Sequence, residues 1–142
     1  MTRIKLYLSI ICIQFTFLIA QADLSIGNAS INAGDTFTLE LSISNPNDII
    51  GGFQFILNDF PDQLDLLNVE PTDRTDHMMI NFDTSTNVVI AFDMTGTGLL
   101  QGDGPVLVAT FISNSIYTNL INIDFSDYFI SDLMGMPIEV NV

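Results

Sequence analysis

The stretch Thr36–Ser44, which reads TFTLELSIS, alternates polar and apolar residues at every position. Successive side chains of an extended chain point to opposite sides, so this pattern predicts a β-strand with one buried and one solvent-exposed face. The run Asn45-Pro46-Asn47-Asp48 follows at once and combines residues that favour turns, which ends the strand. A strand that is buried on one side belongs to a sheet that packs against a second layer.

Similar short segments recur on both sides of this strand, separated by clusters of Gly, Asn and Asp, and no ten-residue stretch among them has helical periodicity. We predict eight further strands, at Leu24–Ile31, Gly52–Asn58, Leu64–Val69, Met78–Phe82, Asn87–Met94, Pro105–Ile112, Asn119–Phe125 and Pro137–Val142. About nine short strands with turn residues between them indicate an all-β domain, an antiparallel β-sandwich.

The start of the chain has the layout of a secretory signal peptide. Two basic residues precede an apolar run from Leu6 to Ile19, and Ala20-Gln21-Ala22 matches the small-x-small pattern of a signal peptidase site. The apolar run is shorter than the ~20 residues that a membrane span needs. We therefore expect residues 1–22 to be removed and residues 23–142 to form one domain, which is secreted to the extracellular space or the periplasm.

The charge balance excludes two classes of partner. The chain has 17 acidic residues against 3 Lys and Arg, for a net charge of −14. Arg3 and Lys5 lie in the predicted leader, so Arg74 is the only Lys or Arg of the domain. Nucleic acids and anionic membranes are bound through basic residues that pair with phosphates. We therefore expect neither nucleic-acid binding nor membrane insertion after the leader is removed.

The residues that catalysis and metal binding require are scarce. His77 is the only histidine, and Cys12, the only cysteine, lies in the predicted leader. Hydrolytic triads need a base beside a nucleophile, and zinc sites need His and Cys. We expect no enzymatic activity and no resident cofactor. Calcium is an open alternative, because Asp73, Asp76 and Asp83 are close enough in sequence to cluster, although no twelve-residue calcium loop is present.

Two of the predicted strands carry apolar residues on both faces. They read Met78-Met79-Ile80-Asn81-Phe82 and Val88-Val89-Ile90-Ala91-Phe92, and Phe53–Leu57 nearly does the same. One face of each sheet in a two-layer sandwich meets water, so apolar residues there indicate a lid or a partner-binding surface. The alternative is that Val and Ile are simply good strand formers. The sequence favours neither explanation.

Three stretches, in this order, resemble the cohesin family. Gly34-Asp35 lies directly before the second strand and resembles the Gly-Asp turn that precedes this strand in cohesins. Gly51-Gly52-Phe53-Gln54-Phe55 is similar to the family's "AGFQF" strand. Gly104–Phe111 resembles the strand that follows a glycine-rich loop in the family. The resemblance covers essentially the whole chain after the predicted leader.

This resemblance implies a nine-stranded antiparallel jelly-roll β-sandwich that binds a dockerin, a small calcium-loaded helical module on another protein. The family's docking face is a flat sheet surface, and here it maps to Gly52–Asn58, Met78–Phe82, Asn87–Met94 and Asn119–Phe125. With Phe53 and Phe55 pointing inward, alternation turns the residues between them outward. The predicted binding residues are Gln54, Ile56, Met79, Asn81, Ala91, Asp93, Asn122 and Asp124.

The chain departs from the family pattern at the third strand. Ile50 and Gly52 stand where the commonest cohesins carry Asn and Asp, and Asn58 stands where they carry Tyr. The resemblance therefore does not specify which dockerin binds. Two other functions are open. A carbohydrate-binding module would bind polysaccharide by stacking sugars on Tyr117 or Tyr128, since there is no Trp. A self-assembling extracellular or surface structural protein would pair its sheet edges.

Overall fold

The computed structural model describes residues 21–114 and 120–142, and within these residues the chain is all-β. None of the described segments forms a helix with the length and hydropathy that a membrane crossing needs. The nine strands of the described chain are β1 (Gln21–Ile26), β2 (Thr36–Ser44), β3 (Ile50–Phe60), β4 (Leu64–Pro71), β5 (Met79–Asp83), β6 (Val88–Phe92), β7 (Pro105–Ser113), β8 (Asn122–Asp132) and β9 (Pro137–Asn141).

The strands follow the order β4-β7-β2-β1-β9-β8-β3-β6-β5. Strand β9 joins the two layers, because it pairs with β1 in one and with β8 in the other. Strands β4 and β5 form the free edges of the arrangement. The predicted antiparallel β-sandwich is confirmed, with one difference: the β1–β9 pair is parallel, whereas the other strand pairs are antiparallel.

The core lies between the two layers and is built by the inward half of each strand. In β2, every second residue from Leu39 to Ile43 is buried, and in β3 the same holds from Phe53 to Leu57. The rings of Phe55 and Phe125 meet edge to face with their centroids 5.1 Å apart, which is a favourable aromatic geometry. The predictions that Phe53 and Phe55 point inward are therefore confirmed.

Strand boundaries match the predictions best where the alternation is clean. Strand β2 has the predicted bounds, whereas β8 begins at Asn122 and continues to Asp132, well beyond the predicted end at Phe125. The pairing of β8 with β3 slips after Ser126, and Asp127 adopts a φ of 46° there. A bulge of this kind interrupts the period of two and hides the rest of the strand from sequence reasoning.

The predicted leader lies outside the described residues except for Gln21 and Ala22. These two residues begin β1, where Ala22 is buried and pairs with Val140 of β9. Leader removal stays a prediction, and a cut after Ala22 would shorten β1 to residues 23–26 and leave one of its three residue pairs with β9.

Arg74 connects the loops at one end of the sandwich through hydrogen bonds. Its guanidinium donates to the carbonyl oxygens of Ile43, at 2.8 Å, and Gly104, at 2.9 Å. It also donates to the side-chain oxygen of Asn45 at 2.8 Å. Asn45 is fully buried, and its amide donates in turn to the carbonyl of Asp48 at 2.7 Å. The only Lys or Arg of the domain is thus used to satisfy backbone carbonyls.

Two phenylalanines of β3 differ in burial, so we expect their replacement to differ in its effect on stability. Phe55 is 1% exposed and Phe60 is 74% exposed. We expect Phe55→Ala to lower the free energy of unfolding by about 3–5 kcal/mol, since it removes a ring and leaves a cavity. Phe60→Ala should change it by no more than about 0.5 kcal/mol. Urea unfolding of the two variants checks this, and similar losses in both would contradict the described core.

Candidate functional site

The outer face of β8, β3, β6 and β5 is the candidate face. Strand register aligns its outward side chains in rows that cross all four strands. The first row contains Ser131, Gly52, Phe92 and Met79, the second Phe129, Gln54, Ile90 and Asn81, and the third Ser126, Ile56, Val88 and Asp83. Beyond them, β3 and β8 alone continue the surface with Asn58 opposite Asp124 and Phe60 opposite Asn122.

An apolar band runs through the middle of the candidate face. Met79, Ile90, Phe92 and Phe129 are large apolar side chains that are exposed to solvent. Ile56 and Val88, which pair with each other across β3 and β6, are half-buried between them. Soluble domains seldom leave adjacent apolar side chains in water unless the surface binds something.

The rim of the candidate face is polar and acidic. Asn81 and Asp83 border the band on β5, and Asn58 and Asp124 border it on β3 and β8. The amide of Asn58 donates to the hydroxyl of Ser126 at 2.6 Å, which links β3 to β8 on this surface. An apolar centre within a polar rim is the usual anatomy of a protein-binding surface.

The opposite outer face has a different composition. Strand β2 presents Thr36, Thr38, Glu40 and Ser42 there, and β7 adds Val108, Thr110 and Ile112. The apolar residues of this face are Val108 and Ile112, which are half-buried, and Leu67 of β4, which is exposed. Strand propensity acts on both sheets alike, so it does not account for the larger set of exposed apolar side chains on the candidate face. The contrast favours a partner-binding surface over the alternative that the apolar residues are only strand formers.

The structure places six of the eight predicted binding residues outward on the candidate face: Gln54, Ile56, Met79, Asn81, Asn122 and Asp124. Their orientation matches the prediction, and their role in binding stays a prediction. Ile90, Phe92, Val88 and Phe129 belong to the same face and were missed. Phe129 lies beyond the β8 bulge, where the sequence carries no continuous alternation.

The predicted outward orientation of Ala91 was wrong. Ala91 is 1% exposed and pairs with the inward-facing Phe53, so it belongs to the core. Strand β6 reads VVIAF and is apolar on both faces, so its sequence does not reveal which half points inward. Register with β3 decides the question and turns Ile90 and Phe92 outward.

Asp93 lies after the end of β6 and shapes a loop instead of facing outward as predicted. Its carboxylate accepts hydrogen bonds from the backbone N–H groups of Gly98, at 2.7 Å, and Thr95, at 2.9 Å. These two bonds, with the Gly98 bond the stronger influence, hold the pKa of Asp93 well below its usual range. The carboxylate therefore stabilises the loop that continues the candidate face past β6.

Asp73, Asp76 and Asp83 do not form the calcium cluster that their spacing in the sequence allows. Within the described residues, no group of three or more His, Cys, Asp and Glu side chains could hold a metal ion. Asp76 lies 3.4 Å from Nδ1 of His77, and Asp83 accepts hydrogen bonds from Ser85. Nε2 of His77 lies 2.9 Å from the carbonyl oxygen of Gly98, so the imidazole packs beside the loop that Asp93 stabilises.

The exposed aromatic rings of the described chain are Tyr128 and the phenylalanines of the candidate face, Phe60, Phe92 and Phe129. Tyr128 is partly exposed at the β8 bulge, and Tyr117 lies outside the described residues. A cavity of about 640 Å³ lies at the other end of the sandwich, between the loop after β1 and the start of β8. Phe37 is the one aromatic residue among the described residues that line it, and it is half-buried against the core. It therefore offers no open ring for a sugar to stack on.

No family model matches this sequence, and no curated protein matches it either. The fold, however, is similar to that of solved cohesins. A non-cellulosomal cohesin from the archaeon Archaeoglobus fulgidus is 20% identical with a TM-score of 0.70, and the match covers 85% of this chain and 85% of that one. The sixth cohesin of Acetivibrio cellulolyticus scaffoldin B, solved with a Cel5 dockerin mutant, is 19% identical with a TM-score of 0.69 and coverages of 86% and 94%.

A third similar structure is a type I cohesin–dockerin complex from Clostridium thermocellum, at 24% identity, a TM-score of 0.65 and coverages of 86% and 87%. These matches extend over most of the described sandwich. The chain therefore has the jelly-roll β-sandwich fold of the cohesins, as the sequence resemblance implied.

The hydrogen bonds of Asp93 predict a pH-dependent contribution to stability. Because the folded-state pKa of Asp93 lies below its unfolded value of about 4, its contribution is fully present above that value. The contribution is lost as the pH falls through the folded-state pKa. We expect Asp93→Asn to lower the melting temperature at pH 7, with a difference from wild type that narrows only in strong acid.

Thermal unfolding followed by circular dichroism, at pH 7 and at lower pH values down to strong acid, measures the difference in melting temperature. Asp65→Asn on the exposed side of β4 is the matched control and should leave the melting temperature nearly unchanged. Equal melting temperatures for wild type and Asp93→Asn at pH 7 would contradict the loop-stabilising role.

Proposed function

We propose that this protein is a secreted, non-catalytic module that binds a dockerin-type partner on the candidate face. The observation that carries the proposal is the exposed apolar band through Ile56, Ile90 and Phe92, enclosed by polar side chains on the outer face of one sheet. On this proposal the surface provides contacts for a partner, and its mechanism is docking.

The structural matches support this choice of partner. Several of the similar cohesins were solved in complex with a dockerin, among them those from Acetivibrio cellulolyticus and Clostridium thermocellum. The family resemblance implies docking on the strands that correspond to β3, β5, β6 and β8, and these strands carry the apolar band. The sequence resemblance and the distribution of apolar surface therefore indicate the same face.

The chemistry of the face defines what its partner needs. Standard protein interfaces bury about 800 Å² on each side and are apolar at the centre. The acids that border the band, such as Asp83 and Asp124, favour a partner whose own rim is neutral or basic. A helical module with an exposed apolar strip and flanking Lys or Arg meets both requirements.

Secretion is part of the proposal and rests on the leader-like residues 1–22. Cysteine is absent from residues 23–142, so the domain needs no disulfide to fold after export. The mass of the protein recovered from the medium tests this part, since removal of the predicted leader leaves Asp23 as the first residue.

Capture of the partner tests the docking function. The exported protein is immobilised and incubated with the secreted fraction of its source organism, in calcium and again with chelator, and bound proteins are identified by mass spectrometry. We expect a dockerin-bearing protein that is retained in calcium and lost in chelator, because dockerins fold around calcium. Retention of insoluble polysaccharide, or oligomers of the protein alone, would instead support the sugar-binding or self-assembly functions.

The apolar band predicts which substitutions abolish capture. Ile90→Asp and Ile56→Asp place a charge at the centre of the proposed interface, where burial without a counter-charge is costly. We expect each to weaken binding of the captured dockerin by about 30-fold or more, the effect typical of a central interface residue. Calorimetric titration with the purified, calcium-loaded dockerin measures the affinity.

Thr38→Asp is the matched control, because Thr38 points outward on the opposite face. It should bind like the wild type. Binding that survives both isoleucine substitutions, or that Thr38→Asp abolishes, would locate the partner elsewhere on the sandwich.

A further inference from the structure

Four exposed methionines lie at one end of the candidate face, on the start of β5, after the end of β6 and after the end of β8. Met79 opens β5 and pairs with Phe92, the last residue of β6. Met94 follows two residues after Phe92, and Met134 and Met136 lie in the turn between β8 and β9. Met94 is 75% exposed and Met134 is 88% exposed. By contrast Met78, the residue before Met79 in the chain, is buried in the core. We call Met79, Phe92, Met94, Leu133, Met134 and Met136 the methionine corner.

Glycines allow the two loops of the methionine corner to meet. A Cβ atom on Gly51 would lie 2.5 Å from the carbonyl oxygen of Asp132 and 2.9 Å from Cα of Leu133. A Cβ atom on Gly98, whose φ is +67°, would lie 2.9 Å from Cδ2 of Leu133. The absence of side chains at these two positions lets Leu133 lie against the loop that follows β6.

Hydrogen bonds hold both loops in shape without burying their methionines. The carboxylate of Asp132 accepts from the backbone N–H groups of Met134 and Met136, both at 2.8 Å. The Asp93 carboxylate does the same for the loop that carries Met94, and the Asp93 N–H donates to the Gly51 carbonyl at 2.9 Å. The methionines are therefore displayed on ordered loops.

An exposed cluster of this composition has the chemistry of an adaptable binding surface. Methionine is unbranched, flexible and polarisable, so a group of methionines can fit around apolar side chains of different shapes. The neighbouring charges are the carboxylates of Asp76, Asp93 and Asp132. Arg74, the domain's only Lys or Arg, is directed to loop carbonyls. A partner that approaches here therefore meets apolar surface bordered by carboxylates.

We propose that the methionine corner extends the binding surface beyond the sheet and receives a large apolar side chain of the partner that is flanked by Lys or Arg. This inference rests on the docking function proposed above and names what the partner carries at this end. The corner is continuous with the apolar band, because Phe92 and Met79 belong to both. The dockerin thus contacts the two loops as well as the sheet.

Two triple variants test the proposal. One replaces Met94, Met134 and Met136 by Gln, which keeps the length of each side chain but makes it polar. The other replaces the same three residues by Leu, which keeps them apolar. All three positions are exposed, so both variants should retain the circular dichroism spectrum and melting temperature of the wild type.

The affinity of each variant is measured with the calcium-loaded dockerin that the wild-type protein captures. We expect the Gln variant to bind at least tenfold more weakly and the Leu variant to bind within about threefold of the wild type. Peroxide footprinting supplies a second readout. In the complex, conversion of Met134 and Met136 to sulfoxides should be slower than in the free protein.

The outcomes separate this proposal from the docking function. Wild-type protein that binds no dockerin overturns both. A dockerin that binds the wild type and the Gln variant equally, with Met134 and Met136 still open to oxidation, overturns the methionine corner alone. Loss of binding in both triple variants would indicate that the shape of the loops matters instead of their apolar character, and would also overturn it.

Discussion

The structure depends on the burial of one apolar layer between its two sheets. Residues 23–142 contain no cysteine, so no disulfide holds the layers together. Packing of inward-facing residues such as Leu41, Phe55 and Leu107 must do so. Because side chains alternate along a strand, committing one half of each strand to the core leaves the other half free. The outer faces are therefore where this chain can differ in composition without losing its fold.

The difference between the two outer faces is the main functional signal. The β2 side carries hydroxyl groups and Glu40 with Val108 and Ile112 half-buried among them, while the candidate face carries an exposed apolar band that continues into the methionine corner. Apolar surface outside the core does not stabilise the free protein. Its burial lowers the free energy only when a partner covers it. The partner and its chemistry are proposals, but the surface they concern follows from strand register and burial.

Part of the chain's acidity has a local explanation. Asp59, Asp83, Asp93 and Asp132 each accept hydrogen bonds from backbone N–H groups in the turn that follows them. An ionised carboxylate makes such bonds stronger than a neutral acceptor does. Turn formation thus accounts for these residues, in addition to the solubility that a negative net charge confers. The same bonds order the loops that surround the candidate face.

The sequence by itself determined the fold class and the bounds of β2, because β2 alternates polar and apolar residues. It also placed Gln54, Ile56, Met79 and Asn81 correctly on the outer face. Tertiary structure decided the phase of β6, whose residues are apolar on both sides, and the continuation of β8 past its bulge. It alone brought the loop that carries Met94 against the turn that carries Met134 and Met136, which lies far away in the chain. Alternation is a local property, whereas register and loop contacts arise between segments that meet only when the chain folds.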